Sequence, residues 1–135
     1  MIQKQNDATP NRPEGTRPLD ADYIFLSFRD RLAQLKSEKA WHDRDRNAIT
    51  LVHHPRLRVV LIALHEGALL DTHTADGPIT IHALEGQLEV VVNGKRFDLQ
   101  PAEALVVDDK IPHSVKGVTE AAFLLTMGPG AEKTF

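Results

Sequence analysis

The 135 residues carry 16 basic and 19 acidic side chains, a formal net charge of -3, and amount to one ordinary domain, long enough to bury a core without staples. Cysteine is absent, which excludes disulfides, thiolate metal sites and thiol nucleophiles, so any metal must rest on carboxylates and the seven histidines. Mild acidity with 5% aromatic residues supplies neither a phosphate-neutralising surface nor a base-stacking platform, so no nucleic-acid partner is expected.

Residues 1–19 hold Pro10, Pro13, Pro18 and Gly15 among polar neighbours, and this composition cannot bury enough apolar area to offset ordering; a flexible tail is expected. The first residues lack the apolar segment of a signal peptide, and no apolar run approaches the roughly 20 residues of a membrane span. A soluble cytoplasmic protein with no membrane partner is expected. From Asp20 to about residue 40 the pattern changes. Ile24, Phe28, Leu32 and Leu35 recur at helical steps between charged positions, which predicts an amphipathic helix, capped by Asp20 or Asp22 and lying on its own domain. Trp41 to Arg46 alternates acid and base and reads as a solvated connection.

Residues 47–128 keep no helical period. Short β-rich runs alternate with turn residues, as in an all-β sandwich or barrel. Ile49–His53 and Leu57–Leu64 flank the hairpin signal His54-Pro55. Ile79–Leu84 and Leu88–Val92 bracket Gly86, and Asn93-Gly94 predicts a tight hairpin onto Arg96–Leu99, because both residues tolerate positive φ. Ala104–Val107, a piece around His113–Val115, and Ala121–Met127 complete about eight strands, the count of a jelly roll. Residues 129–135 follow the Gly128-Pro129-Gly130 break as a C-terminal tail.

Two segments carry a recognisable spacing. Gly67 is followed after five residues by His73, and Gly86 closes the first segment 13 residues later; Pro112-His113 marks the second. These resemble the two motifs of the cupin family, in which a small β-barrel carries a metal on its inner wall. In that register Ala75 stands where the family has a second histidine and Ile79 where it has a glutamate. The second motif has Asp108 and Lys110 where proline and glycine are usual. The resemblance covers about residues 47 to 127 and implies an all-β jelly-roll β-barrel, a cupin-like double-stranded β-helix; with the periodic segment before it, the expected fold is that barrel with one N-terminal α-helix. It also implies that His73 and His113 lie near each other on the inner wall.

With Ile79 facing inward as the family position implies, Ile81 and Ala83 also face in, while Thr80, His82 and Leu84 face out. His82 is thereby set aside. Asp71 shares the face of His73 by alternation, although it sits at a bend, and His65 ends its strand where it can approach the cavity mouth. These two are the candidate third metal ligands beside His73 and His113. His53 and His54 point to opposite faces and cannot chelate one ion together. Ser27 and Ser114 lie in no Gly-x-Ser-x-Gly turn, and Glu85 and Glu89 are expected to be solvated.

The expectation is a small-molecule-binding protein, a sensor or accessory protein of small-molecule metabolism, with a degenerate metal site. His73 and His113 orient the ligand in the barrel, while Ile79 and Ile81 belong to its aliphatic wall. The alternative is a metal-dependent enzyme of dioxygenase or isomerase type, holding Zn, Ni, Fe, Mn or Cu on the two histidines and a third ligand. A third reading makes the barrel an oligomerising module only. A homodimer through sheet edges is expected, because free edges need covering.

Overall fold

The computed structural model describes residues 4–6 and 17–131. Two antiparallel sheets form the body. The five-stranded sheet has the order β3 (Arg46–His54), β4 (Leu57–Leu64), β11 (Ala121–Met127), β6 (Ile79–Glu85) and β9 (Ala104–Val107). The four-stranded sheet has the order β5 (Leu69–His73), β10 (His113–Gly117), β7 (Leu88–Val92) and β8 (Lys95–Leu99). This is the expected jelly roll, with one difference: the hydrogen-bonded ladders stay in two separate sheets and do not close into a barrel.

Alternation decides which side chains enter the space between the sheets. On β6, Ile79, Ile81 and Ala83 are buried there, as the sequence pattern requires, and His82 faces away. On β4 both faces are buried: Val60, Ile62 and Leu64 join the inter-sheet core, while Val59, Leu61 and Ala63 join a second cluster on the outer side. Such a run without alternation is the mark of a strand covered on both faces. The second cover is helical. α1 (Phe28–Ser37) lays Leu32 and Leu35 on that outer face, and α2 (Lys39–Asp43) adds Trp41.

The helix differs from its expected span. It starts at Phe28, because Ser27 is extended and its hydroxyl accepts from the Asp30 N–H at 3.3 Å, so the cap is Ser27 and neither Asp20 nor Asp22. Residues 21–27 approach it in non-helical form, with Tyr23 and Phe25 exposed. Extended Glu38 then divides α1 from α2. Trp41 is buried on α2, so the solvated connection expected over residues 41 to 46 holds for His42, Asp43, Arg44 and Asp45, which are exposed, and not for Trp41. Buried Asn47 fixes the junction by donating to the Leu35 carbonyl at 3.0 Å and the Glu38 carboxylate at 2.9 Å. Lys36 reaches Glu85 at 2.7 Å and Glu120 at 3.3 Å, which ties α1 to the sheet.

At the N-terminus, β1 (Lys4–Asn6) pairs antiparallel with β2 (Arg17–Asp20), so these parts of the expected tail are strand. The rest of that tail, residues 1–3 and 7–16, lies outside the described residues. Of the expected C-terminal tail, Ala131 is buried in the inter-sheet core and donates its N–H to Gly128; residues 132–135 lie outside the described residues. No described helix is long and apolar enough to cross a membrane.

Candidate functional site

One end of the inter-sheet space is lined by the ends of several strands. In the four-stranded sheet, His73 on β5 stands opposite His113 on β10, and His113 stands opposite Val92 on β7. In the five-stranded sheet the corresponding row runs His53, Arg58, Met127, Ile79, Val107 across β3, β4, β11, β6 and β9. Both rows lie at the same end, since residues 74–78 lead directly from His73 to Ile79 and residues 108–112 from Val107 to His113. The two connections are joined by the Lys110 N–H donating to the Ala75 carbonyl at 2.8 Å.

A β-bulge aims His73. Between the Leu70–Val115 pair and the His73–His113 pair, β5 advances three residues while β10 advances two. The extra residue reverses the alternation, so Leu70 and His73 both face the space between the sheets. For the same reason Asp71 does not share the histidine's face. Its side chain is exposed and accepts from the Thr72 N–H at 2.7 Å, while its carbonyl accepts from His73 Nδ1 at 2.7 Å.

The imidazoles of His73 and His113 meet edge to face, with centroids 4.5 Å apart. His113 Nδ1 donates to the Ile111 carbonyl at 2.9 Å. In each ring a carbonyl therefore holds the proton on Nδ1, which leaves Nε2 as the lone-pair atom of the neutral ring. Both Nε2 atoms are shielded from solvent. His113 is 1% exposed, and its burial holds its pKa below the ordinary 6.5, with the neighbouring His73 acting in the same direction and the Ile111 hydrogen bond opposing. At neutral pH His113 is an uncharged acceptor.

The other candidates are elsewhere. His65 stacks on Trp41 with centroids 3.5 Å apart, and its Nε2 donates to the Trp41 carbonyl at 2.7 Å, which places it on the helix side of the five-stranded sheet and not at the cavity mouth. It fails as a third ligand because it follows Leu64, whose side chain takes the inward position. Ile79 and Ile81 are in the inter-sheet wall as expected, Ile79 in the end row and Ile81 deeper. His53 and Arg58 form a cross-strand pair at the start of the five-stranded row. Sequence reasoning passed over Arg58, although the inward set Val60, Ile62, Leu64 on the same strand gives its face by alternation.

The motif glycines have local causes. Gly86 has φ +67°, and a Cβ there would run into the carbonyl oxygen of Glu120, so the chain can turn at this point only without a side chain. Gly67 has φ +85° in the turn before β5. Gly67 thus opens the turn into the strand that carries His73, and Gly86 closes β6.

Fold and site define a small jelly-roll domain with an imidazole pair at one mouth. The cupin-domain family model matches residues 59–128, and the chain belongs to that family. No functionally curated protein matches the sequence. Among solved structures, KdgF from Halomonas is 19% identical with a TM-score of 0.61, covering 67% of this chain and 84% of its own. A cupin-superfamily protein from Desulfitobacterium hafniense is 14% identical with a TM-score of 0.66, covering 82% and 94%. Salicylate 1,2-dioxygenase from Pseudoaminobacter salicylatoxidans, solved with gentisate, is 20% identical with a TM-score of 0.69, covering 90% of this chain but 35% of the enzyme. At these identities the likeness is one of fold.

The metal implied by the family meets an incomplete donor set. His73 and His113 offer two nitrogens, Ala75 and Ile79 fill the two remaining family positions, and the described residues contain no group of three or more metal-binding side chains. Catalytic zinc sites take three protein ligands. Two imidazoles with an aliphatic neighbour do not fit a resident divalent ion.

Proposed function

We propose that this cupin binds a small molecule through His73 and His113 and acts as a sensor or accessory protein of small-molecule metabolism. The observation that carries this reading is the imidazole pair with both Nδ1 atoms committed to backbone carbonyls. The two Nε2 atoms then act as hydrogen-bond acceptors, and the ligand they suit carries a hydroxyl or N–H donor. Ile79, Ile81 and partly buried Val92 and Ile111 supply an aliphatic surround, the common composition of a small-molecule pocket. The metal-dependent dioxygenase or isomerase reading is less favoured on donor count, since Asp71 and His65, the two candidates for a third ligand, are engaged elsewhere.

Elemental analysis of protein purified without tag or chelator tests the choice, followed by thermal shift against a fragment set rich in hydroxyl and N–H donors. The expected result is no stoichiometric Zn, Ni, Fe, Mn or Cu, with fragments that protect the native protein and fail to protect His73→Ala. Stoichiometric metal that disappears in His73→Ala overturns the proposal in favour of the enzyme. Fragments protecting both proteins equally would place the binding elsewhere.

A further inference from the structure

We propose that this chain pairs with a second copy of itself through β9, strand against strand, so that two five-stranded sheets become one of ten. The inference concerns a different face of the molecule from the histidine mouth and stands apart from the ligand reading.

Four strands end the two sheets, β3 and β9 in one, β5 and β8 in the other. An open edge presents unpaired N–H and C=O groups, and three of these edges carry devices that discourage a further strand. β3 has a register shift between Thr50 and Val52, and Arg17 donates to its Thr50 carbonyl at 2.7 Å. β5 has the bulge that aims His73, with Asp71 exposed on it. β8 carries Lys95, Arg96 and Asp98. β9 reads Ala-Leu-Val-Val, with no charge, no proline and no shift in its ladder with β6. Its Val106 is 76% exposed. Helical cover does not reach it, since the apolar cluster under α1 and α2 extends only as far as Leu84 on β6.

The backbone shows which groups are open. The Ala83 N–H donates to the Glu103 carbonyl at 2.9 Å, so by alternation Leu105 and Val107 exchange hydrogen bonds with Ile81 and Ile79. Ala104 and Val106 therefore turn their N–H and C=O groups away from β6. Charge then selects the register, because Glu103 precedes the strand and Asp108 and Asp109 follow it. Antiparallel pairing of Ala104 with Val106 of the second copy, about a two-fold axis at Leu105, sets Glu103 opposite Val107 and Asp108 opposite Ala102, so no two acids meet. Pairing Val106 with itself would set Glu103 opposite Asp109, and like charges directly opposite are destabilising. Pairing Ala104 with itself would need an extended Ala102, whose φ of 73° excludes it.

In the selected register alanine faces valine on the outer side, and the two Leu105 side chains meet on the inner side, where each already packs against its own inter-sheet core. The edges left over are the guarded ones, so assembly closes at two copies. The two histidine mouths then open at opposite ends of the joined sheet. An edge of four residues covers less than the roughly 800 Å² per partner of a standard interface, so the pairing is reversible, with a dissociation constant on the order of 10 to 100 µM.

Sedimentation velocity across roughly 5 µM to 1 mM tests the inference, with a monomer–dimer equilibrium in that range expected. Val106→Pro removes an outward N–H while leaving the β6–β9 ladder whole, and Val106→Lys puts a charge at the centre of the edge; each should weaken association about 10-fold or more with an unchanged far-UV spectrum. Either variant decides the matter if the other does not fold. Leu105→Cys, in a chain without cysteine, reads the register. Non-hydrogen-bonded partners stand about 4.5 Å apart at Cα, within reach of a disulfide, so the oxidised protein should run as a covalent dimer while Val106→Cys, displaced along the strand from its own copy, does not cross-link. A chain that stays monomeric near the top of the range, association unchanged in the folded Val106 variants, or a disulfide through Val106→Cys and not through Leu105→Cys overturns the proposal.

Discussion

The two ends of the inter-sheet space are built by the same strands and differ in what they bury. At the far end, Leu64, Ala83, Leu88, Leu99, Val115, Ala121 and Phe123 close the gap with apolar groups. At the near end alternation delivers His113 and Arg58, and the β5 bulge delivers His73, beside Ile79 and Met127. Buried apolar groups stabilise without any demand on direction, whereas buried polar groups cost free energy unless each is oriented toward a partner. The far end therefore supplies stability, and the near end holds side chains whose retention needs a chemical reason.

The largest expected effect comes from breaking the far end. Leu88→Ala removes a fully buried side chain from a wall that cannot collapse around the void, and should cost roughly 3 kcal/mol in urea unfolding. A loss under about 1 kcal/mol would mean that this end is not the stability centre. His113→Leu sharpens the contrast, since it exchanges a buried imidazole for an aliphatic group of similar size. Stability should stay within about 1 kcal/mol of the native protein or rise, while ligand protection disappears.

His113 also makes the near end pH-dependent. Burial, its main perturbation, depresses its folded pKa, so the native state takes up its proton less readily than the unfolded state, whose pKa is near 6.5. Its contribution is complete above 6.5 and is lost as pH falls from there through the folded pKa. The native protein should therefore lose more thermal stability than His113→Leu between pH 7.5 and the acid side of that window, and parallel curves would remove His113 as the cause. The smallest effect belongs to the helix side. Burial lowers the proton affinity of Lys36, yet Glu85 and Glu120 outweigh it and hold the pKa raised. Because the groups are largely solvated, Lys36→Ala should cost less than about 1 kcal/mol, and added salt should shrink that difference.

Much of this was legible in the residues. Leu57–Leu64, Leu88–Val92, Ala104–Val107 and Ala121–Met127 read correctly from apolar runs and turn residues, and Asn93-Gly94 adopts φ 50° and 83° as a tight hairpin requires. The inward set Ile79, Ile81, Ala83 followed from alternation. What failed were features that depend on geometry beyond the local pattern. The helix began late because a hydrogen bond from the Asp30 N–H to Ser27 outweighed the apolar step from Ile24. Trp41 was hidden by charged neighbours that a short helix turns away. Asp71 was misplaced because alternation has no register for a bulge, and β5 itself, Leu69–His73, was not read as a strand.

That bulge has an evolutionary consequence. A substitution at His73 removes one imidazole, but deletion of a single residue at Asp71 or Thr72 would restore regular pleating and turn the imidazole to the opposite face with its chemistry intact. The apolar far end takes no part in that slip. A lineage carrying this scaffold can thus acquire or lose its mouth by one insertion or deletion in a short edge strand, a step that an accounting of point substitutions would miss.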